Sequence, residues 1–348
     1  MIDFITQWHA ALFDPDRIPL AVAAIVVCAV IGMIAGPLAG NANPFIWQVF
    51  DILFGKLGGK LDKPQRPKAD LVFRGFIVTA CVMLIALTLG KGLTALLSQN
   101  WMVEGLALSV LLTSGTVWFA LLRLYFAMDG NKKGKGGYYA IARSTRTNLS
   151  AVDDYAITRC GINFAARSFD KGLVAPVTWY VIAGLPGACV YAALAAMAWR
   201  FGKDGFTKGF GAAPLALEKL MGFVPNILSG LIITLAGTFT PTAKLHTGLT
   251  AWLGHKNRAS YAQGGFALSA MAWSLNLSLG GPSQDLNGDA IKAPWVGPDK
   301  ATAKNDHKHL RRAIIINVLA HIVFIAVLLG MYLWAGVLDG RELAFLKL

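Results

Sequence analysis

Apolar positions run along this chain in blocks long enough to cross a bilayer, and polar positions collect in the gaps. Ile18–Ile34, Leu71–Leu89, Leu106–Met128 and Ala313–Val337 each approach or exceed the ~18–20 residues that a spanning helix needs. Arg123 alone interrupts the third, close enough to its end to snorkel. These blocks predict about four full transmembrane helices. Gly172–Trp199 and Gly222–Phe239 are also apolar but broken, the first by Gly184-Leu185-Pro186-Gly187, and Gly264–Leu279 is short. They predict broken or re-entrant middle helices. The expected fold class is all-α, a polytopic integral membrane protein forming a single domain over residues 1–348.

Shorter patterns fill the intervals. "GPLAGNANP" is a turn by its Gly, Asn and Pro content. Phe45, Trp47, Phe50, Leu53, Phe54 and Leu57 then recur at mostly helical spacing, with Gln48, Asp51 and Lys56 between them. That predicts an amphipathic helix lying at the membrane surface. "DKPQRPKAD" reads as a linker and "DGNKKGKGGYY" as a flexible basic loop. A helix is expected after Ser150, with Ser150 as its N-cap, Asp153 as the acidic partner of a capping box and Asp154 adding charge to the first turn.

Composition supports the membrane reading: 55% of residues are hydrophobic, 15% are charged, and the mean hydropathy is +0.53. The net charge of +13 does not point to nucleic acid, because it collects in particular loops. Lys56, Lys60, Lys63, Arg66 and Lys68 separate the first two spans. Lys132, Lys133, Lys135, Arg143 and Arg146 follow the third, and Lys300, Lys304, Lys308, Arg311 and Arg312 precede the last. Cytoplasmic loops retain Lys and Arg, so these segments are expected inside, in a bacterial cytoplasmic (inner) membrane. Residues 129–171 form one such basic loop and helix, and residues 280–312 another loop. This orientation requires the middle segments to contribute an even number of crossings or to be re-entrant. Such a face would attract anionic lipid or an acidic protein partner. The first residues carry Asp3, Asp14 and Asp16 and no basic start, so the first apolar run reads as a retained helix. Cys28, Cys81, Cys160 and Cys189 show neither disulfide nor zinc spacing.

Few side chains offer chemistry on pattern alone. His307 and His309 beside Asp306 do not complete a metal site, and no metal is expected. His321 falls inside the last span, where a neutral histidine hydrogen-bonded across helices competes with a functional role. "SLGGPSQDLNGD" lacks both the P-loop Lys-Ser/Thr and the EF-hand spacing. Arg159, Arg167, Lys171 and Lys219 could together bind an anion or an acidic partner, against the alternative of snorkelling interfacial charges.

Two stretches resemble the CobD/CbiB family, the adenosylcobinamide-phosphate synthases of cobalamin biosynthesis. In "FDKGLVAPVTWYVIAGLPGACVYAALAAM", Gly172, Ala175, Pro176, Trp179, Gly184, Pro186, Gly187, Ala188 and Tyr191 match a family stretch close to "VDGxxAPLFW…GGxPGAxxY" in order. In "SLGGPSQDLNGDAIKAPWVG", Leu279, Gly280, Gly281, Pro282, Gly288, Pro294, Trp295 and Gly297 match "LGGPxxYxGxxxxKPWxG". Weaker echoes at "GPLAGNANPFIW" and "FVPNILSGLIITLAG" extend the likeness over most of the chain. The resemblance implies an enzyme joining an amine to a corrinoid carboxylate with ATP, and hence a magnesium–nucleotide site built on acids.

The departures fall on those acids. The family's Glu-Asn ahead of the motif is Arg167-Ser168 here, and its following aspartate is Lys171, with Asp170 one position earlier. The Asn and Asp of its "NTLDS" correspond to Ala195 and Ala198. Its "RMDD" keeps one acid, as Glu218 beside Lys219, and the "SPNxxWxE" segment falls on Tyr261–Leu268, with Gln263 and Leu268 in place of its polar groups. Turns and packing residues are kept, whereas a Lys or Arg in place of a carboxylate repels a cation. The leading expectation is therefore a relative that has lost ATP-dependent amide formation and acts as a scaffold or accessory subunit of an inner-membrane complex, with corrinoid as a possible ligand. One alternative is an active, diverged synthase using ATP and magnesium, with Asp153, Asp154, Asp170, Glu218, Asp285 and Asp289 rearranged into an acidic site. The other is a small-molecule transporter built on the broken helices.

Overall fold

The structure is a computed structural model that describes residues 14–63, 65–97, 100–129, 137–202, 209–240, 257–286 and 288–338. The expected basic loop at Lys132, Lys133 and Lys135 lies outside the described residues, as do Asp3 and the C-terminal "GRELAFLKL". In chain order the helices are α1 (Arg17–Ala35), α2 (Phe45–Leu61), α3 (Lys68–Leu97), α4 (Trp101–Leu111), α5 (Gly115–Asp129), α6 (Tyr139–Thr145), α7 (Asp154–Phe169), α8 (Ala175–Phe201), α9 (Gly209–Gly237), α10 (Gly265–Leu275) and α11 (His307–Leu338). A π-helical turn, Asp170–Val174, joins α7 to α8. Strands are confined to the loop before α11: β1 (Leu279–Gly280) pairs with β4 (Trp295–Val296), and β2 (Ser283–Gln284) with β3 (Ala290–Ile291), both antiparallel. The protein is an all-α multi-pass membrane protein. Among the described residues, five helical stretches are long and apolar enough to cross a bilayer, six if the bent pair α4–α5 is one span.

α1, α3 and α11 form the outer layer and turn apolar side chains outward. Ile34, Phe73, Leu84, Ile322 and Trp334 are all more than half exposed. In water such a surface would be costly; against lipid tails it is the expected solvent-facing side. The second layer is the α7–α8 segment, whose apolar window is 72% buried against 28% for α1 and α3. α2 matches the surface-helix expectation, burying Trp47 and Phe50 while Ile52, Leu53 and Leu57 stay exposed.

α8 is a hairpin and not a straight rod. Ala183 (φ −129°, ψ 15°) and Gly184 (φ 65°, ψ −161°) leave helical geometry. A Cβ at Gly187 would stand 2.7 Å from the Trp179 carbonyl oxygen, whereas residues eight apart in a straight helix are separated by ~12 Å along the axis. Gly184 is the residue that can take the left-handed backbone of the reversal without a Cβ penalty. The arms enter and leave at the same end: α7 begins near His307, and Phe201 packs on Gly58 of α2. The tip reaches the opposite end, where Arg17 at the start of α1 donates to the Val181 and Ile182 carbonyls, each at 3.4 Å. Length and composition alone count Asp154–Phe201 as one span; the reversal at Gly184 makes it an out-and-back element.

The basic segments converge on the end from which this hairpin enters. Asp51 of α2 pairs with Arg200 at 2.7 Å and Arg146 at 3.8 Å, and Asp129 at the end of α5 approaches His307 at 3.5 Å.

Three details differ from expectation. The run Leu106–Met128 is broken into α4 and α5, bent by 40°, because Thr113 turns its backbone away: its N–H donates to Gly172 O at 2.8 Å and its hydroxyl to Ala42 O at 2.6 Å. Conversely, the run Gly222–Phe239 belongs to one helix, α9, which accommodates Pro214 and Pro225. The N-cap of α7 is Asp153, whose carboxylate accepts from Ala156 N at 2.8 Å, while Ser150 is tied back to Asn148.

Candidate functional site

The π turn after α7 places an acid and a base side by side in the buried layer, and α9 passes across both. Asp170 is 1% exposed and accepts from Asn226 Nδ2 at 2.6 Å and Ser229 Oγ at 2.9 Å. Lys171, 2% exposed, donates to Glu218 Oε2 at 2.8 Å, and Glu218 itself is fully buried. The other Glu218 oxygen accepts from Tyr261 OH at 2.9 Å and Tyr191 OH at 3.4 Å. The Lys171 ammonium also stands 4.2 Å above the Tyr261 ring. Burial pushes the Tyr261 phenol well above its ordinary range, so it remains a donor to Glu218. The centre is therefore an ion pair with nearly every polar atom satisfied. Such pairs persist in a dry interior because removal of either partner leaves an uncompensated charge.

Two cavities lie on the other side of Tyr261–Gln263. The larger, about 640 Å³ and half open, is lined by Lys219, Arg258 and Lys292 together with Leu215, Phe223 and Phe266. The smaller, about 150 Å³, lies between α7 and the strand-bearing loop and receives Arg159 and Arg167. Neither lining includes an Asp or Glu. Gln263, Ala262, Ile291 and Ala293 border both.

The four basic residues expected to act together are thus divided. Arg159 and Arg167 share the small cavity, Lys219 faces the large one, and Lys171 is consumed by Glu218. Arg167 makes no contact ion pair with a described residue, although it feels the charges of Glu218 and Asp170. Ser168 is buried and returns its hydroxyl to Ala165 O at 3.1 Å. Ala195 and Ala198 lie buried in the returning arm of α8 and bring no polar group. Leu268 is 1% exposed and closes the small cavity. The resemblance residues act as framework. Gly172 packs on Thr113, Pro176 opens α8, Pro186 and Gly187 form the hairpin tip, and Trp179 Nε1 donates to Met221 O at 3.1 Å. Gly280, Gly281 and Pro282 line the small cavity, and Trp295 lies under the Arg159 guanidinium at 4.7 Å.

Several members went unnoticed in the sequence: Asn226, Ser229 and Tyr261 around the ion pair, Arg258 and Lys292 in the large cavity, and Asn163 in the small one. Asn163 had a signal, since it lies midway between Arg159 and Arg167 at four-residue spacing, one stripe of a helix. The expected histidine features resolve locally. His309 Nδ1 meets Asp306 at 2.6 Å, and His321 bonds Asn317 O of its own helix at 2.7 Å, not a neighbouring helix.

The acids of this centre are not free to serve as magnesium ligands. Magnesium takes oxygen ligands, usually one or two free carboxylates beside the phosphates. Asp170 and Glu218 are already engaged by Asn226, Ser229, Lys171 and the two tyrosines. Asp153 caps α7, and Asp285 and Asp289 lie in the β2–β3 turn. Among the described residues no three His, Cys, Asp or Glu side chains come together as a metal site.

Helical hairpin, basic end and buried ion pair define a multi-pass membrane protein with a polar centre facing one side. The family described as CobD/Cbib protein matches residues 28–317, and the chain belongs to that family. It is similar to the "Cobalamin biosynthesis protein CobD" of Sinorhizobium sp, 27% identical over 274 residues, covering 73% of this chain and 82% of the relative. The protein of that name from Sinorhizobium fredii is 26% identical, covering 81% of this chain and 90% of its own length. A "Probable cobalamin biosynthesis protein CobD" of Methanococcus aeolicus is 22% identical over 72% of this chain and 82% of its own. No solved structure matches.

Proposed function

We propose that this chain is a CobD/CbiB-type protein of the inner membrane that keeps the family scaffold without its amide-forming centre. It serves as a non-catalytic, anion-binding subunit of a membrane complex, with its basic end directed to the cytoplasm. One observation carries this reading: both cavities beside the family motifs are lined by basic side chains and by no carboxylate, while the nearest acids are tied up in hydrogen bonds and an ion pair. Magnesium needs a carboxylate ligand as well as bases for the nucleotide phosphates, and neither lining offers one. The test is turnover by the purified protein in detergent, supplied with ATP, magnesium, adenosylcobyric acid and aminopropanol phosphate. The expected result is no amide product above a protein-free control, and sustained product formation overturns the proposal.

A second reading is supported by the similarity to proteins named for cobalamin biosynthesis over more than four-fifths of their length. It makes the chain an active, diverged synthase. Restored growth of a corrinoid-dependent strain lacking its synthase would establish it, and failure of a well-expressed chain to restore growth would remove it.

A further inference from the structure

The small cavity has the features of a built oxyanion site. Arg159, Asn163 and Arg167 recur every four residues, so they form one stripe of α7, and all three reach the cavity. The Arg159 guanidinium carbon stands 4.7 Å from the Trp295 ring centroid. A guanidinium can grip an oxyanion through paired N–H hydrogen bonds. Asn163 receives the Gly280 N–H on its carbonyl oxygen at 3.4 Å, and its NH2 group donates to no described residue. Arg167 enters from the other end of the stripe without a contact ion pair. Opposite them stands the Gly280-Gly281-Pro282 turn, whose two glycines take positive φ (70° and 77°) and keep side chains out of the space. Two arginines and an asparagine thus border a cavity of about 150 Å³ that has no carboxylate in its lining. A lining that carries two arginines and no acid favours an anion over a cation or a neutral ligand.

We propose that this cavity binds a phosphate group, with Arg159 and Arg167 as charge partners and Asn163 as the neutral donor between them. The ligand is either a soluble phosphate ester or the headgroup phosphate of an anionic lipid. The site adjoins the Lys171–Glu218 centre, whose charges Arg167 feels, and contains Arg167 where the family resemblance places an acid.

The experiment is isothermal titration of inorganic phosphate into the full chain in nanodiscs of neutral phosphatidylcholine. Saturable binding is expected, weakened about tenfold or more by Arg159→Gln and by Arg167→Met, as the loss of a charge-assisted hydrogen bond predicts. Lys60→Met, on the exposed side of α2, leaves the affinity unchanged. Either arginine variant is informative if the other fails to fold. Repeating the titration in discs containing phosphatidylglycerol separates the two sources. Competition by the lipid assigns the site to a headgroup, and unchanged affinity assigns it to a soluble ester. Absence of saturable binding up to about 10 mM phosphate, or equal binding by both arginine variants, overturns the proposal. This titration reads binding alone, so its outcome is independent of the turnover test.

Discussion

Helix α7 and the turn that follows it carry charge in two contrasting settings. At the turn, Lys171 meets Glu218 at 2.8 Å with both side chains almost fully buried, and Asp170 accepts two hydrogen bonds beside them. One to three turns earlier, Arg159 and Arg167 face a cavity in which no acid answers them. The first setting is internally complete, so its charges hold the hairpin α8 against α9. The second is incomplete without a ligand. Two bases within five residues thus sit in different settings. Lys171 is paired with Glu218, and Arg167 borders a cavity without a carboxylate.

The strongest way to break this contrast is to remove Glu218. Glu218→Ala leaves a buried ammonium without its counter-charge, and the expected loss is about 3–5 kcal/mol in reversible unfolding in detergent, or outright failure to give monodisperse protein. The double variant Lys171→Met with Glu218→Met should recover more than half of that loss, because an apolar pair avoids the desolvation of both charges. If the double variant is as damaged as the single one, the pair has a role beyond mutual neutralisation. Asp170→Asn comes next. It sets an NH2 group against a donor, Asn226 Nδ2 or Ser229 Oγ, and should cost about 2–4 kcal/mol in the same measurement.

Different parts of this arrangement were legible to different degrees. The outer helices α1, α3 and α11 follow directly from long apolar runs, because lipid contact demands the same chemistry all along their exposed sides. The hairpin at Gly184 is foreshadowed by "GLPG" and by the requirement that the basic segments share one side. The break at Thr113 was hidden, since Leu112-Thr113-Ser114 is not a strong breaker; its cause is tertiary, in Gly172 and Ala42. In the site, the resemblance draws attention to Arg167 and Lys171. What each base does was not visible there, because Lys171 is sorted from the arginines by Glu218, 47 residues away. Asn163 was within reach, as the middle of a four-residue repeat on one helix face.

Tyr261 connects the two settings: its ring supports Lys171, its hydroxyl donates to Glu218, and its backbone belongs to the wall of the large cavity. Tyr261→Phe keeps the ring and removes only the hydroxyl. The expected cost is about 1.5–2 kcal/mol of stability, the range for one hydrogen bond to a charged acceptor, with phosphate affinity unchanged. A fall in phosphate affinity would show that the two settings are coupled through this turn.

The smallest expected effect on stability is the most telling for the comparison. Arg159→Gln removes a charge that no described acid contacts, and it gives up only the stacking on Trp295. An exposed or half-exposed stacking contact of this kind contributes about 0.5–1 kcal/mol. The unfolding midpoint should therefore move little while phosphate binding weakens about tenfold, a separation that the Glu218 variants cannot show. If Arg159→Gln instead destabilised the protein by several kcal/mol, the arginine would be a structural strut like Lys171. The distinction between a completed charge and a charge awaiting a ligand would then fail at the residue where it is drawn.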